Sequence, residues 1–77
     1  MSARPVKHSV TLRGHRTSIS LEDAFWQELR DLARQKEMPI NALVSQIDAE
    51  RGVETGLASA IRVYVLQALK ELQVSSD

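Results

Sequence analysis

The chain has 77 residues, of which 43 % are hydrophobic and 26 % are charged, with three glycines, two prolines and no cysteine. This length suits one small domain, and the absence of cysteine excludes disulfide bonds and thiolate metal sites. No apolar run approaches the roughly 18 residues of a membrane span, and the first 21 residues lack the apolar stretch of a secretory signal, so we expect a cytoplasmic protein with no membrane contact.

The charges are distributed unevenly, although the net charge is zero. Residues 1–20 hold four basic side chains and no acid, whereas residues 21–77 hold six basic and ten acidic side chains. The four basic residues are Arg4, Lys7, Arg13 and Arg16. We interpret residues 1–14 as a basic arm. A basic arm can bind a polyanionic partner or can be a solvated tail, and composition alone does not distinguish these two interpretations.

Residues 16–21 alternate between polar and apolar side chains, which predicts one short, half-buried strand. Its apolar face carries Thr17, Ile19 and Leu21, and its polar face carries Arg16, Ser18 and Ser20.

Residues 9–13 also alternate, but with the opposite parity, so Gly14 must absorb the change. One alternative is a bend or bulge at Gly14. The other is a two-residue hairpin loop formed by Gly14 and His15, which would pair Val10 with Ile19 and Leu12 with Thr17.

The hairpin alternative would also place Arg13 opposite Arg16, a like-charge pair that costs roughly a few tenths of a kcal/mol. Without the hairpin, the strand at residues 16–21 can pair only with the same strand of a second copy. That pairing would give a two-stranded antiparallel ribbon shared by two chains.

Three helices are predicted after the strand. The first should span about residues 22–37, because apolar residues recur with helical spacing and acids lie in the first turn. Met38 and Pro39 should end this helix, since a residue before proline avoids the α region. The second helix follows and should stop at Gly52. The third should span about residues 57–72.

The third predicted helix is the most apolar segment, because ten of the thirteen residues from Leu57 to Leu69 are apolar. A chain of this length can hardly enclose such an apolar helix by itself. We therefore predict that the third helix forms part of a dimer core. The predicted dimer core comprises Ile19, Leu21, Phe25, Leu43, Ile47, Ile61, Val65 and Leu69. Arg62 should lie either on an exposed stripe or against an acid across the dimer.

No catalytic or metal-binding constellation is evident. His8 and His15 are seven residues apart in a predicted arm and strand, which is not a helical ligand spacing. The adjacent acids Glu22 and Asp23 are explained by the helix dipole. We expect no enzymatic activity, no metal and no cofactor, and we interpret Trp26 as a partly buried core residue rather than a stacking site.

The order of strand and two helices, with RTSISLEDAFWQELRDLA running into EMPINALVSQI, resembles the ribbon-helix-helix family of dimeric repressors. The resemblance covers about residues 15–50. The segments GHRTSISLE and LASAIRVYVL and the FW pair also resemble a bacterial subfamily of small stand-alone ribbon-helix-helix proteins. The sequence departs from the family pattern at two places. Pro39 replaces the usual polar cap and has no N–H to offer a phosphate, and the second helix is broken at residues 52–56 before the third helix.

The resemblance implies DNA base contacts from the outward strand residues, which are Arg16, Ser18 and Ser20. It also implies a phosphate held by the backbone amides around Ile40 and Asn41. We add Arg4, Lys7, Arg13 and His15 as predicted phosphate contacts. Ser20 has an alternative role as the amino-terminal cap of the first helix, with Asp23 completing an approximate capping box.

The predicted fold is mainly α with one short β-strand: an intertwined ribbon-helix-helix homodimer with a two-stranded antiparallel ribbon and an extra carboxy-terminal helix. We divide the chain into the arm at residues 1–14, the domain at residues 15–74 and a frayed end at residues 75–77.

The predicted function is sequence-specific binding to double-stranded DNA as a dimeric transcriptional regulator, with higher assemblies on DNA also open. Alternatives are a protein-interaction or structural dimerisation module, an antitoxin, and a helix-turn-helix that reads DNA with the third helix. A hairpin between residues 9–13 and 16–21 would favour the interaction module, because a dimer sheet of four strands is too wide for the major groove.

Overall fold

The computed structural model describes residues 4–75, and the side chains of residues 4–73. In chain order the elements are β1 (Pro5–Leu12), β2 (His15–Glu22), α1 (Asp23–Gln35), α2 (Ile40–Glu50) and α3 (Leu57–Ser75). The three predicted helices are confirmed. None of the helices in the described part of the chain combines the length and apolar character needed to cross a bilayer.

The two strands form an antiparallel hairpin within one chain. The expectation of one short strand is therefore wrong, because residues 5–12, which we assigned to the basic arm, form β1. Of the end predicted to fray, Ser75 is the last residue of α3 and residues 76–77 lie outside the described residues.

The hairpin turn consists of Arg13 and Gly14, one residue earlier than the loop considered from the sequence. Both residues have positive φ, 52° and 82°, as a type I′ turn requires. Glycine suits the second position because it has no Cβ to clash there. Thr11 therefore lies opposite Arg16, and the like-charge pair of the sequence-based hairpin does not form.

One face of the hairpin packs on the helices and completes a core within one chain. Val10, Ile19 and Leu21 are buried there. The remaining buried residues come from the three helices and are Leu29, Leu32, Ala33, Leu43, Val44, Ile47, Ile61 and Val65. Six of the eight residues predicted as dimer core thus lie inside a single protomer, whereas Phe25 is half-buried and Leu69 is 37 % exposed.

Helix α3 has two apolar faces, and only one of them is covered. Ile61 and Val65 are buried against the other elements. On other sides of the helix, Val63, Leu66 and Leu69 are 52 %, 55 % and 37 % exposed, and we call these three residues the α3 stripe. The strongly apolar character of α3 therefore has a partial explanation within one chain.

A bidentate ion pair joins the end of β2 to α3. The Nε and Nη2 groups of Arg62 donate to the two carboxylate oxygens of Glu22 at 2.8 and 2.9 Å, and the guanidinium carbon lies 5.9 Å from the centre of the Phe25 ring. Neither sequence-based alternative for Arg62 is correct, because its acid partner belongs to the same chain. Glu22 is also the N-cap of α1, so the proposed capping box of Ser20 and Asp23 is wrong.

The ion pair changes the acidity of Glu22. The side-chain hydrogen bond from Arg62 holds the pKa of Glu22 below its usual value, helped by a backbone hydrogen bond within Glu22, while desolvation opposes the shift and the charge of Arg62 reinforces it. A lowered folded-state pKa means that the pair stabilises the fold above the unfolded pKa, about 4.3 for Glu. This stabilisation is lost as the pH falls through the lowered folded-state pKa.

We predict that Gly14→Ala destabilises the fold by about 1 kcal/mol, because a Cβ is disfavoured at positive φ although it would meet no atom within 4 Å. Gly52→Ala is the matched control, since its Cβ would meet only an ordinary contact, with Thr55 Oγ1 at 3.7 Å. Urea unfolding measures both variants. Equal stability of the two variants would contradict the folded hairpin turn.

We also predict that Glu22→Gln lowers the free energy of unfolding at pH 7, because it removes the charge that Arg62 binds. The deficit should shrink as the pH falls through the lowered folded-state pKa of Glu22, where the wild type becomes protonated. Urea unfolding of both proteins across this range is the measurement. A deficit that stays constant with pH would show that Glu22 acts through packing instead.

Candidate nucleic-acid interface

The hairpin face directed away from the helices is entirely polar over its central part. The register places Lys7 opposite Ser20, Ser9 opposite Ser18, and Thr11 opposite Arg16. All six side chains are exposed. We call these six residues the outer face.

The side chains of the outer face are available for a ligand. Within residues 4–73 none of the six forms a side-chain hydrogen bond or ion pair, and the two charged members, Lys7 and Arg16, are both basic. The acid that follows on the same side of β2, Glu22, is bound by Arg62. The outer face therefore presents positive charge and hydroxyl groups, which suit an anionic, hydrogen-bonding partner.

Arg13 lies at the tip of the hairpin and its side chain is 66 % exposed. Its guanidinium is 3.9 Å from Asp48, a long contact, and Asp48 also accepts a 2.7 Å hydrogen bond from Arg51. Asparagine or glycine is the usual residue at this position of a type I′ turn. An arginine held at positive φ is strained, because its Cβ is disfavoured there.

The two histidines lie in different environments. His8 is on the helix side of β1 and stacks on Trp26, with ring centres 3.9 Å apart and planes 9° apart, and its buried Nε2 has no hydrogen-bond partner among the described residues. Trp26 is half-buried, as expected from the sequence. His15 is exposed at the start of β2, close to the tip. Arg4 is exposed just before β1.

The amino end of α2 lies beside β1. The side-chain oxygen of Asn41 accepts a 3.2 Å hydrogen bond from the backbone N–H of Thr11. Leu12 and His15 form the pair that flanks the turn, and Thr11 belongs to the next pair along the hairpin. The backbone N–H of Thr11 therefore points away from β2, towards the free edge of β1. Asn41 accepts a hydrogen bond from this N–H, which would otherwise be unpaired. The amides of Ala42 and Leu43 donate to the carbonyl of Pro39, which leaves those of Ile40 and Asn41 at the helix end.

Arg16, Ser18 and Ser20 lie together on the outer face with Lys7, as the alternation of the strand predicted for the first three. Ser9 and Thr11 were not predicted from the sequence as candidate contacts. Their alternation was visible, but the register was open, and the face on which a β1 residue lies depends on the register.

A model of the ribbon-helix-helix domain family matches residues 5–69. The match begins at β1 and ends within α3, so it includes the hairpin, α1, α2 and most of α3. No curated protein and no solved structure matches the chain. The match covers most of the chain and agrees with its order of ribbon and helices, and the chain therefore belongs to the ribbon-helix-helix domain family.

Proposed function

We propose that the protein binds double-stranded DNA sequence-specifically and acts as a transcriptional regulator by occupying an operator. The observation that carries this proposal is the outer face, a two-stranded ribbon with basic and hydroxyl side chains and no apolar residue among its six members. Ribbons of this width enter the major groove in other proteins, where their side chains contact the base edges.

The width of the sheet limits how the ribbon is used. Two strands lie about 4.8 Å apart, within a major groove that is about 12 Å wide. If β2 also paired with β2 of a second copy, the outermost of four strands would be about 14 Å apart and would not fit. The proposal therefore requires the free edge of β2 to stay unpaired on DNA, with one chain supplying both strands.

The predicted contacts have distinct roles on this ribbon. Arg16 donates two hydrogen bonds to guanine, while Ser18 and Ser20 adapt to several base edges. The phosphate contacts are proposed for Arg4, Lys7, Arg13 and His15, and for the amides of Ile40 and Asn41. These phosphate contacts position the ribbon but do not distinguish sequences.

The hairpin within one chain is the arrangement that we expected to favour the interaction module, so this module is the second candidate function. The helix-turn-helix is not supported by the contacts in the structure. A helix-turn-helix that reads DNA with α3 would rely on Ser59 and Arg62, but Arg62 is bound to Glu22. An interaction module or antitoxin would bind a protein through an apolar surface, and the α3 stripe is such a surface. We assign this surface to a second copy of the chain.

We propose that the protein is a homodimer whose copies meet at the α3 stripe. Val63, Leu66 and Leu69 expose apolar surface along about two turns of α3, and a stripe of this kind can pair with itself about a twofold axis. Contact there leaves both hairpins as two-stranded ribbons. The dimer would then present two outer faces to two half-sites.

The operator is first identified by selecting genomic fragments with the purified protein. Arg16→Ala should then reduce the preference for this operator over random duplex by roughly 1–3 kcal/mol per half-site, because it removes a guanine contact. The midpoint of thermal unfolding should change little, since Arg16 is exposed. Binding to operator and to random duplex over a range of salt concentrations is the measurement, and each phosphate neutralised should add roughly −0.9 to the log–log slope.

Lys7→Ala is the matched control on the same face, and it should lower the affinity for operator and for random duplex about equally. If Arg16→Ala also lowered both affinities by the same factor, Arg16 would contribute only charge. Undetectable binding of the wild type to any duplex at low salt would exclude DNA binding and leave the interaction module.

For the dimer, we predict that the unfolding midpoint of the wild type rises with protein concentration, because folding and association are linked. Leu66→Lys should abolish this dependence and sediment as a monomer, since it places a charge in the stripe. Val53→Lys is the matched control, because Val53 is 99 % exposed in the loop before α3. A dimeric Leu66→Lys variant would contradict an interface at the α3 stripe.

A further inference from the structure

We propose that the stack of His8 on Trp26 is a pH-sensitive switch, which holds residues 5–8 of β1 against α1 while His8 is neutral and opens when His8 is protonated. We call residues 5–8 the first half of β1. The switch does not depend on the proposed DNA binding, because it concerns a contact between β1 and α1 within one chain.

The stack lies on the less buried half of β1. Four side chains of β1 point to the helix side of the hairpin, namely Val6, His8, Val10 and Leu12. In the second half, Val10 is buried and Leu12 packs against the core. In the first half, Val6 is 48 % exposed, and His8 is the half-buried residue. The attachment of the first half of β1 to α1 therefore depends on the stack.

The geometry of the two rings determines which form of His8 they accommodate. Nε2 of His8 is buried and has no hydrogen-bond partner within the described residues. A neutral imidazole can leave this nitrogen without a proton, whereas an imidazolium carries an N–H on both nitrogens. Such an N–H lies in the imidazole plane, which is 9° from the plane of the indole, so it does not point at the indole face. The buried N–H of protonated His8 would therefore stay unpaired, which is unfavourable.

Protonation of His8 therefore favours an open state. The face of an indole attracts a cation, but this attraction does not supply the acceptor that the Nε2–H lacks. Rotation of the imidazole out of the stack lets water accept from both of its N–H groups. The same rotation uncovers the indole of Trp26 and releases the first half of β1 from α1.

The charged groups on the surrounding elements do not replace the missing acceptor. The acids on these elements are Glu22 at the end of β2, Asp23 and Glu28 on α1, and Asp48 and Glu50 on α2. Within residues 4–73 none of these acids forms an ion pair with His8. Glu22 is bound by Arg62 of α3, and Arg30, one turn after Trp26 on α1, is exposed. Lys7 lies on the outer face, on the other side of the hairpin from His8.

The test uses the fluorescence of Trp26, which is the one tryptophan of the chain. Acrylamide quenching is compared at about pH 8 and about pH 5.5, across the range in which histidine ordinarily titrates. We expect the quenching constant of the wild type to rise about twofold at the lower pH, because the indole becomes uncovered. His8→Phe keeps an aromatic ring but takes up no proton, so its quenching should not change with pH. His15→Phe is the matched control, since it removes the exposed histidine, and it should behave like the wild type.

Amide hydrogen exchange of the wild type locates the opening within β1. The N–H groups of Val6, His8, Val10 and Leu12 all donate to β2, because these residues alternate in step with the pair that flanks the turn. At the lower pH we expect the protection factors of Val6 and His8 to fall about fivefold or more, while those of Val10 and Leu12 are maintained.

Equal quenching of the wild type at both pH values, or a rise that persists in His8→Phe, would contradict the switch. A parallel fall in protection at all four amides would show that acid unfolds the whole domain, which would also contradict it. The exchange pattern is measured on the wild type and therefore does not require that a variant folds.

Discussion

The register of the hairpin is the constraint on which the rest of the structure depends. The turn at Arg13 and Gly14 sets which β1 residue faces each β2 residue. A shift of one residue in one strand would move every apolar side chain of that strand to the solvent face. With the observed register, Val10, Ile19 and Leu21 close the core, and the six polar residues of the outer face gather on the other side. One turn thus determines both the stability of the domain and the composition of its candidate binding surface.

Helix α3 makes this arrangement possible within one chain. It contributes Ile61 and Val65 to the core on which the hairpin packs, and its Arg62 binds Glu22 where the hairpin passes into α1. Val10, Ile19 and Leu21 on the inner face of the ribbon are therefore buried without a partner chain, and the outer face stays open. The apolar side chains that α3 still exposes do not belong to the hairpin, so the proposed dimer contact and the proposed DNA contact use different residues.

The helices could be predicted from the sequence because their signals are local: the 3.6-residue period, Pro39 and Gly52. The outward direction of Arg16 followed from alternation alone. The strand pairing could not be fixed, because the turn needed positive φ at an arginine, and arginine gives no such signal. The ion pair with Glu22 spans 40 positions in the sequence, so no local pattern reveals it. Because neither the strand pairing nor this ion pair could be predicted, the apolar character of α3 predicted a dimer core. In the structure, Ile61 and Val65 of α3 are buried within one chain.

The most direct test of the account is whether Ser9 and Ser18 face each other within one chain. In a non-hydrogen-bonded antiparallel pair the two Hα atoms are close, so a nuclear Overhauser effect between them is expected. We predict this cross-peak in the uniformly labelled protein and its absence from an isotope-filtered spectrum of a mixture of labelled and unlabelled chains. A cross-peak between labelled and unlabelled chains would show that the ribbon is shared by two copies, and would contradict a reading element built from one hairpin.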